Sequence, residues 1–174
     1  MIVLILHYGL FALVLYRFGL SLHGLGVLFL TEGLIVLAII DWHTGLLPDC
    51  LTLSLLWMGL ALNILHFYTD IESAVLGAMV GYVSLWSLYR LFKLATGKDG
   101  MGYGDFKLLA ALGAWMGWQA LPLILFLASS LSLFAVLWRF IITRSWQVKL
   151  PFGPGLALAA YLFVVYKPYF STIF

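Results

Sequence analysis

The chain has 174 residues, of which 64% are apolar and 9% charged, with a net charge of +2. Soluble domains average about 45–50% apolar and about 25% charged, so this chain has too little polar surface to cover a core in water. Composition excludes a soluble domain, and a charge this small gives no basis for a nucleic-acid partner. The reading is an all-α, polytopic transmembrane bundle of about six to seven helices, forming one membrane domain over residues 1–174. The single cysteine, Cys50, excludes an intramolecular disulfide and a Cys-cluster metal site.

Hydropathy predicts seven spans in chain order: Ile2–Tyr16, Gly24–Ile40, Leu51–Phe67, Ile71–Leu94, Phe106–Trp118, Leu121–Ile142 and Gly155–Tyr166. A span needs about 20 apolar residues, so the first, fifth and last are short and draw length from their flanks. The first span has neither a basic leader region nor a small-residue cleavage site, and reads as a retained anchor. With the N-terminus inside, the inner loops carry Arg90, Lys93, Lys98, Lys107, Arg139, Arg144 and Lys149. Only Arg17 and Lys167 fall outside, with Asp70 and Glu72. That asymmetry is a positive-inside signal.

The second span ends in Asp41. A carboxylate at that depth is costly unless it meets water, a partner or a site, and the helix C-terminus disfavours its charge. His43, two residues on, reads either as a tuner of Asp41 or as an interfacial polar group. Pro48 and Asp49 open the third span, and Asp49 is expected to act as its N-cap. Glu32 lies mid-span, nine residues before Asp41, on roughly the opposite face. It reads either as an intramembrane functional group or as a neutral carboxyl bonded to a neighbouring helix.

The fifth span is preceded by the longest polar connection, Thr96–Gly104. Gly100, Gly102 and Gly104 permit positive φ and close backbone approach, and they set Asp105 at the mouth of a helix. Lys107 follows, as an interfacial anchor or as a charge beside Asp105. Ala110 with Ala114, and Gly113 with Gly117, form small-xxx-small pairs suited to tight helix packing in lipid. The loops bearing Asp41 and Asp105 are two spans apart, so both aspartates belong on one face, which the charge count makes cytoplasmic. Two carboxylates on one face can share a proton, one acting as general base towards water while the other protonates the carbonyl. The pair then titrates as a unit. The four histidines, His7, His23, His43 and His66, have no metal-ligand spacing. The segment Pro151-Phe152-Gly153-Pro154-Gly155 interrupts helix before the last span, either as a loop beside the site or as a sharp turn.

These residues match a known pattern. IIDWHTGLLPDCLTLSLLWMGL and GMGYGDFKLLAALGAWMGW resemble the type IV prepilin peptidases of the GxGD aspartic protease group, and LPFGPGLALAA resembles their later PFGP segment. The resemblance runs from about Arg17 to about Tyr161 and rests on D-x6-P-D together with G-x-G-D-x-K. It implies that Asp41 and Asp105 are the catalytic pair, supported by Gly102, Gly104, Lys107, Asp49 and Pro48. It further implies that the substrates are prepilins or pseudopilins, cut at the cytoplasmic face of the bacterial inner membrane without metal or cofactor. Many members of that family also carry a cytoplasmic domain with two C-x-x-C pairs and methylate the new N-terminus with S-adenosylmethionine. The 174 residues start near what would be their second helix, which leaves methylation open. A broader intramembrane peptidase, a small proton channel or transporter built around Glu32, Asp41 and Asp105, and a catalytically inactive assembly factor are the competing readings.

Overall fold

The computed structural model describes residues 2–144 and 151–170; Lys149, assigned to the inner side above, lies outside the described residues. Among them the chain is all-helical: α1 (Ile2–Phe18), α2 (Leu22–Thr44), α3 (Asp49–Ile64), α4 (Ile71–Thr96), α5 (Tyr103–Met116), a short 3-10 turn (Trp118–Ala120), α6 (Leu121–Thr143) and α7 (Gly153–Phe170). Each of the seven expected spans has its helix. Three stretches, 22–44, 71–96 and 118–142, are long and apolar enough to cross a bilayer, and α3 and α7 are shorter apolar helices.

Local chemistry sets the ends. The hydroxyl of Ser21 accepts the Gly24 N–H at 3.0 Å and starts α2. The carboxylate of Asp70 accepts the Ser73 N–H at 2.7 Å and starts α4. Gly45 and Gly97, at φ of 67° and 68°, close α2 and α4 in the left-handed region, which costs a glycine little. Gly117, at φ 83°, breaks α5 before the 3-10 turn. The helix therefore runs from Tyr103 to Met116, starting three residues before the expected span and ending two residues short of it.

At 14 residues α5 is only about 21 Å long, shorter than a bilayer core of about 30 Å. It does not need to meet lipid, because every residue from Asp105 to Met116 except Lys107 is buried. Helices α3, α4, α6 and α7 pack against it, α4 and α3 most extensively. Contact with α4 is backbone to backbone: a Cβ on Gly113 would collide with the Gly77 carbonyl, and one on Gly81 would lie 2.7 Å from the Leu109 carbonyl oxygen. The expected small-residue packing thus operates through Gly113, and its partner is the Gly77–Gly81 pair of α4. On the α3 side, Trp115 Nε1 donates to the Leu55 carbonyl at 2.7 Å. Fully buried Asn63 donates to the Ala114 carbonyl at 2.8 Å while accepting from the Tyr68 and Thr69 amides. These bonds satisfy buried polar groups that hydrocarbon would otherwise penalise.

A second, smaller apolar cluster joins α1, α2 and α7 through Val14, Val27, Tyr161 and Val165. Large apolar side chains such as Trp57, Met79, Phe126, Phe134 and Trp138 point outward, as expected of surfaces facing lipid tails. Glu32 lies on this flank, its Oε1 3.6 Å from His7 Nε2 of α1 and without a hydrogen bond. Its side chain is partly exposed and meets the neighbouring helix at ion-pair distance from His7.

Candidate active site

Three helix ends meet at one end of the bundle: the C-terminus of α2 and the N-termini of α5 and α7. Asp41 sits in the last turn of α2, where its backbone carbonyl accepts the closing Gly45 N–H at 2.8 Å. Its side chain is buried, and its Oδ2 accepts the Gly153 N–H at 2.9 Å. Gly153 is the first residue of α7, so the positive end of that helix faces a carboxylate that the end of α2 disfavours. The PFGPG segment is therefore neither a loop nor a sharp turn as a whole: Pro151 and Phe152 lead in, and Gly153, Pro154 and Gly155 form the first turn of α7 beside the site. Gly153 is required there by space, since a Cβ on it would lie 2.5 Å from Asp41 Oδ2. Pro154 next to it has no N–H of its own to offer.

Asp105 is the third residue of α5, after the N-cap Gly102, and its backbone N–H bonds the Gly102 carbonyl at 3.3 Å. Its carboxylate reaches back to the Gly102 backbone amide, in the manner of an acidic residue in a capping box. The side chain is 7% exposed and that of Asp41 5%. The two carboxylates are close enough for the charge of Asp41 to act on Asp105. They come from helices separated by α3 and α4, so the juxtaposition is tertiary.

Of the two uses expected of the glycines, close approach holds and positive φ does not. None of Gly100, Gly102 and Gly104 has positive φ; the turn reverses at Gly97 instead. What Gly104 provides is close approach: a Cβ there would lie 2.6 Å from Leu47 Cβ, so the α2–α3 loop lies directly on the start of α5. Gly100 lies under the Phe92 ring, 2.7 Å from where its Cβ would be. Gly102 has only the Asp105 carboxylate beside it.

Asp49 is not the cap of α3. Pro48 occupies that position with φ −62° and ψ 132°, and its carbonyl takes the Leu51 and Thr52 amides. Asp49 is thus the first helical residue, free to turn its carboxylate to Lys107, whose Nζ lies 2.6 Å away. That pair ties α3 to α5, so Lys107 is neither a bare interfacial anchor nor a partner of Asp105. His43 is exposed. Among the described residues no group of three His, Cys, Asp or Glu side chains is placed to hold a metal ion.

Sequence reasoning missed the roles of Gly153 and Leu47, and it missed a polar cluster of Tyr89, Lys93 and Asp99 beside the glycine turn. The Pro-flanked Gly153 carried a legible signal, a lone backbone donor at a helix start. Leu47 and Tyr89 carried none, because an apolar or aromatic residue near a helix end is ordinary.

The sequence pattern of the Type IV leader peptidase family matches residues 28–137, which include Asp41 and Asp105. A prepilin leader peptidase/N-methyltransferase of Aeromonas hydrophila is 54% identical over 139 residues, covering 79% of this chain and 48% of that protein. Proteins of the same name from Pectobacterium carotovorum subsp. carotovorum and Pseudomonas putida are 55% and 49% identical, over 76% and 88% of this chain and 48% and 54% of their own lengths. The chain thus spans about half the length of these curated relatives. No solved structure matches it. With the family pattern running through α2 to α6 and both aspartates inside it, this chain belongs to the Type IV leader peptidase family.

Proposed function

We propose that residues 1–174 work as one membrane aspartic endopeptidase that removes the leader of type IV prepilins or pseudopilins. The observation that carries this reading is the convergence of two buried carboxylates, Asp41 and Asp105, at one end of an otherwise apolar bundle. Two carboxylates so placed cannot both ionise cheaply, and holding one proton between them supplies a base and an acid together. The ionised member takes a proton from water, whose oxygen attacks the scissile carbonyl carbon. The protonated member gives its proton to the carbonyl oxygen. Collapse of the tetrahedral intermediate breaks the C–N bond, and the proton first taken from water passes to the leaving amine. One hydroxyl of the intermediate returns its proton to the aspartate that had protonated the carbonyl, restoring the one-proton pair. The Gly153 amide orients Asp41, Gly102 and Gly104 set the start of α5 under Asp105, and Pro48 and the Asp49–Lys107 pair hold α3 against α5 beside it.

The positive-inside distribution supports an active site facing the cytoplasm from the bacterial inner membrane. It matches a substrate cut between a basic leader and an apolar helix. The glycine turn that presents Asp105 at one end of the bundle speaks against the channel reading, since a pore has no need of it. Glu32 lies against His7 of α1 instead of meeting Asp41.

The names of the relatives add a second activity, N-methylation, which would use S-adenosylmethionine. The hollow of about 200 Å³ between α1, α2 and α7 does not fit that cofactor. Its lining is apolar apart from His7, Thr31 and Tyr161, and the two hydroxyls already donate to the Val27 and Leu10 carbonyls. The test is reconstitution of the chain in liposomes with a prepilin and S-adenosylmethionine, followed by product mass. A leader-sized loss supports the peptidase and an added methyl mass the second activity; an intact prepilin overturns the proposal.

A further inference from the structure

Beside the glycine turn, the end of α4 presents Tyr89 and Lys93, one turn apart, to Asp99. Asp99 Oδ1 accepts from Tyr89 Oη at 2.6 Å and from Lys93 Nζ at 2.7 Å. Lys93 Nζ also donates to Tyr89 Oη at 3.1 Å, and the Tyr103 hydroxyl reaches the same oxygen at 3.5 Å. A phenol has one proton and two lone pairs, so the Tyr89 hydroxyl is saturated: it donates to Asp99 and accepts from Lys93 and Tyr103.

We infer that Tyr89, Lys93 and Asp99 are positioning residues for Asp105, latching the 97–102 turn onto α4 and so fixing where α5 begins. This rests on the peptidase reading above. The ion pair itself is well exposed, with side chains 44% and 68% accessible, and such pairs add little stability. Its partner is not exposed. Tyr89 is 4% accessible, and its ring packs against Tyr103 and Phe106, with centroids 5.4 Å and 5.7 Å away. Those two residues flank Asp105 on α5. One side chain therefore holds the incoming turn by its hydroxyl and the start of the helix by its ring. Phe92, on the same face of α4, covers Gly100 and closes the gap between them. Two backbone amides of the turn also bond α4, Gly97 to the Lys93 carbonyl at 2.8 Å and Lys98 to the Thr96 hydroxyl at 3.3 Å, but these hold only its first residues. The two bonds to Asp99 hold its middle, so loss of either loosens the residues leading into Asp105.

The test uses Tyr89→Phe, which keeps the ring and deletes the hydroxyl, Asp99→Ala, which deletes the acceptor, and Lys93→Arg, which keeps a charged donor. Misplacement of a reacting group by about 1 Å costs on the order of 100-fold, so a partly freed turn is expected to lower kcat by about tenfold or more. That loss should appear in Tyr89→Phe and Asp99→Ala with KM within about twofold of wild type and an unchanged unfolding temperature; Lys93→Arg should stay within about twofold in kcat. Amide exchange across residues 97–104 should rise in the first two variants, a readout that needs no substrate. Unchanged exchange in Tyr89→Phe overturns the latch, as does raised exchange with wild-type kcat. So does a kcat loss that tracks a lowered unfolding temperature, which marks a merely structural role. If wild type fails to cleave prepilin, the peptidase reading falls, while the exchange arm still decides whether the latch holds the turn.

Discussion

The Gly153 amide donates to Asp41 Oδ2 at 2.9 Å, joining residues 112 positions apart and bringing the start of α7 onto the end of α2. The two helix ends are complementary, because the partial positive charge of one meets a carboxylate that the other repels. The contact tolerates no side chain at Gly153. In Gly153→Ala the new Cβ would lie 2.5 Å from the carboxylate oxygen, so either Asp41 or α7 must shift. Prepilin cleavage by Gly153→Ala is expected to fall about 100-fold, the scale of an ångström-sized misplacement, with the protein still in the membrane. Steady-state cleavage by purified variant and wild type decides this. A rate within threefold of wild type would mean that Asp41 does not depend on the amide.

Asp41→Asn and Asp105→Asn should each abolish cleavage, because an amide can neither take the proton from water nor deliver one to the carbonyl. Groups that act as a unit lose their effect together, so the double variant should be about as slow as either single one. A progress curve with one prepilin, read as leader loss on a gel, measures all three. Multiplicative losses, with the double variant slower than both by the product of their factors, would contradict a shared-proton pair.

The site was legible where a residue violated its local environment. Asp41 at a helix C-terminus and Asp105 after a glycine turn both stood out in that way, and counting two crossings placed them on one face. Partners chosen by tertiary packing were not legible. Asp49 followed Pro48 at a helix start, a pattern that local rules assign to a cap. The lysine that claims it lies 58 residues away, across a helix contact that periodicity does not reveal. The glycines of the turn were legible as special, but not which of their two uses applied, since positive φ and close approach leave the same mark in a sequence and only the neighbour, Leu47, tells them apart. The seven helices were readable from hydropathy, but the burial of α5 was not, because lipid and protein interior select the same apolar residues.

The α4–α5 contact offers a test of the fold that is independent of chemistry. Gly113 faces the Gly77 carbonyl so closely that a methyl group has no room, and neither backbone can rotate away inside a packed helix. Overpacking of this kind costs about 1–3 kcal/mol, so Gly113→Ala should unfold at a lower temperature in detergent than wild type. Gly9, whose surroundings are open, is the control, and Gly9→Ala should leave the midpoint unchanged or slightly raised. Equal midpoints for Gly113→Ala and wild type would show that α4 and α5 do not meet backbone to backbone.

The turn before α5 makes a prediction about acid. The hydrogen bond from Lys93, then that from Tyr89, hold the Asp99 carboxyl below its usual range. A group whose folded pKa is depressed contributes stability that is fully present above its unfolded value, about 3.9, and that is lost as pH falls through the lower folded value. The latch is therefore intact throughout neutral and mildly acidic solution, and Asp99 gives cleavage no pH dependence between about pH 5 and 8. Carbon-13 titration of the Asp99 carboxyl in micelles should give a midpoint below about 3.9 in wild type, moving up towards that value in Lys93→Met. A wild-type midpoint at or above the free value would mean that the ammonium does not sit on the carboxylate. The bond network at the turn would then have to be redrawn around Tyr89 alone.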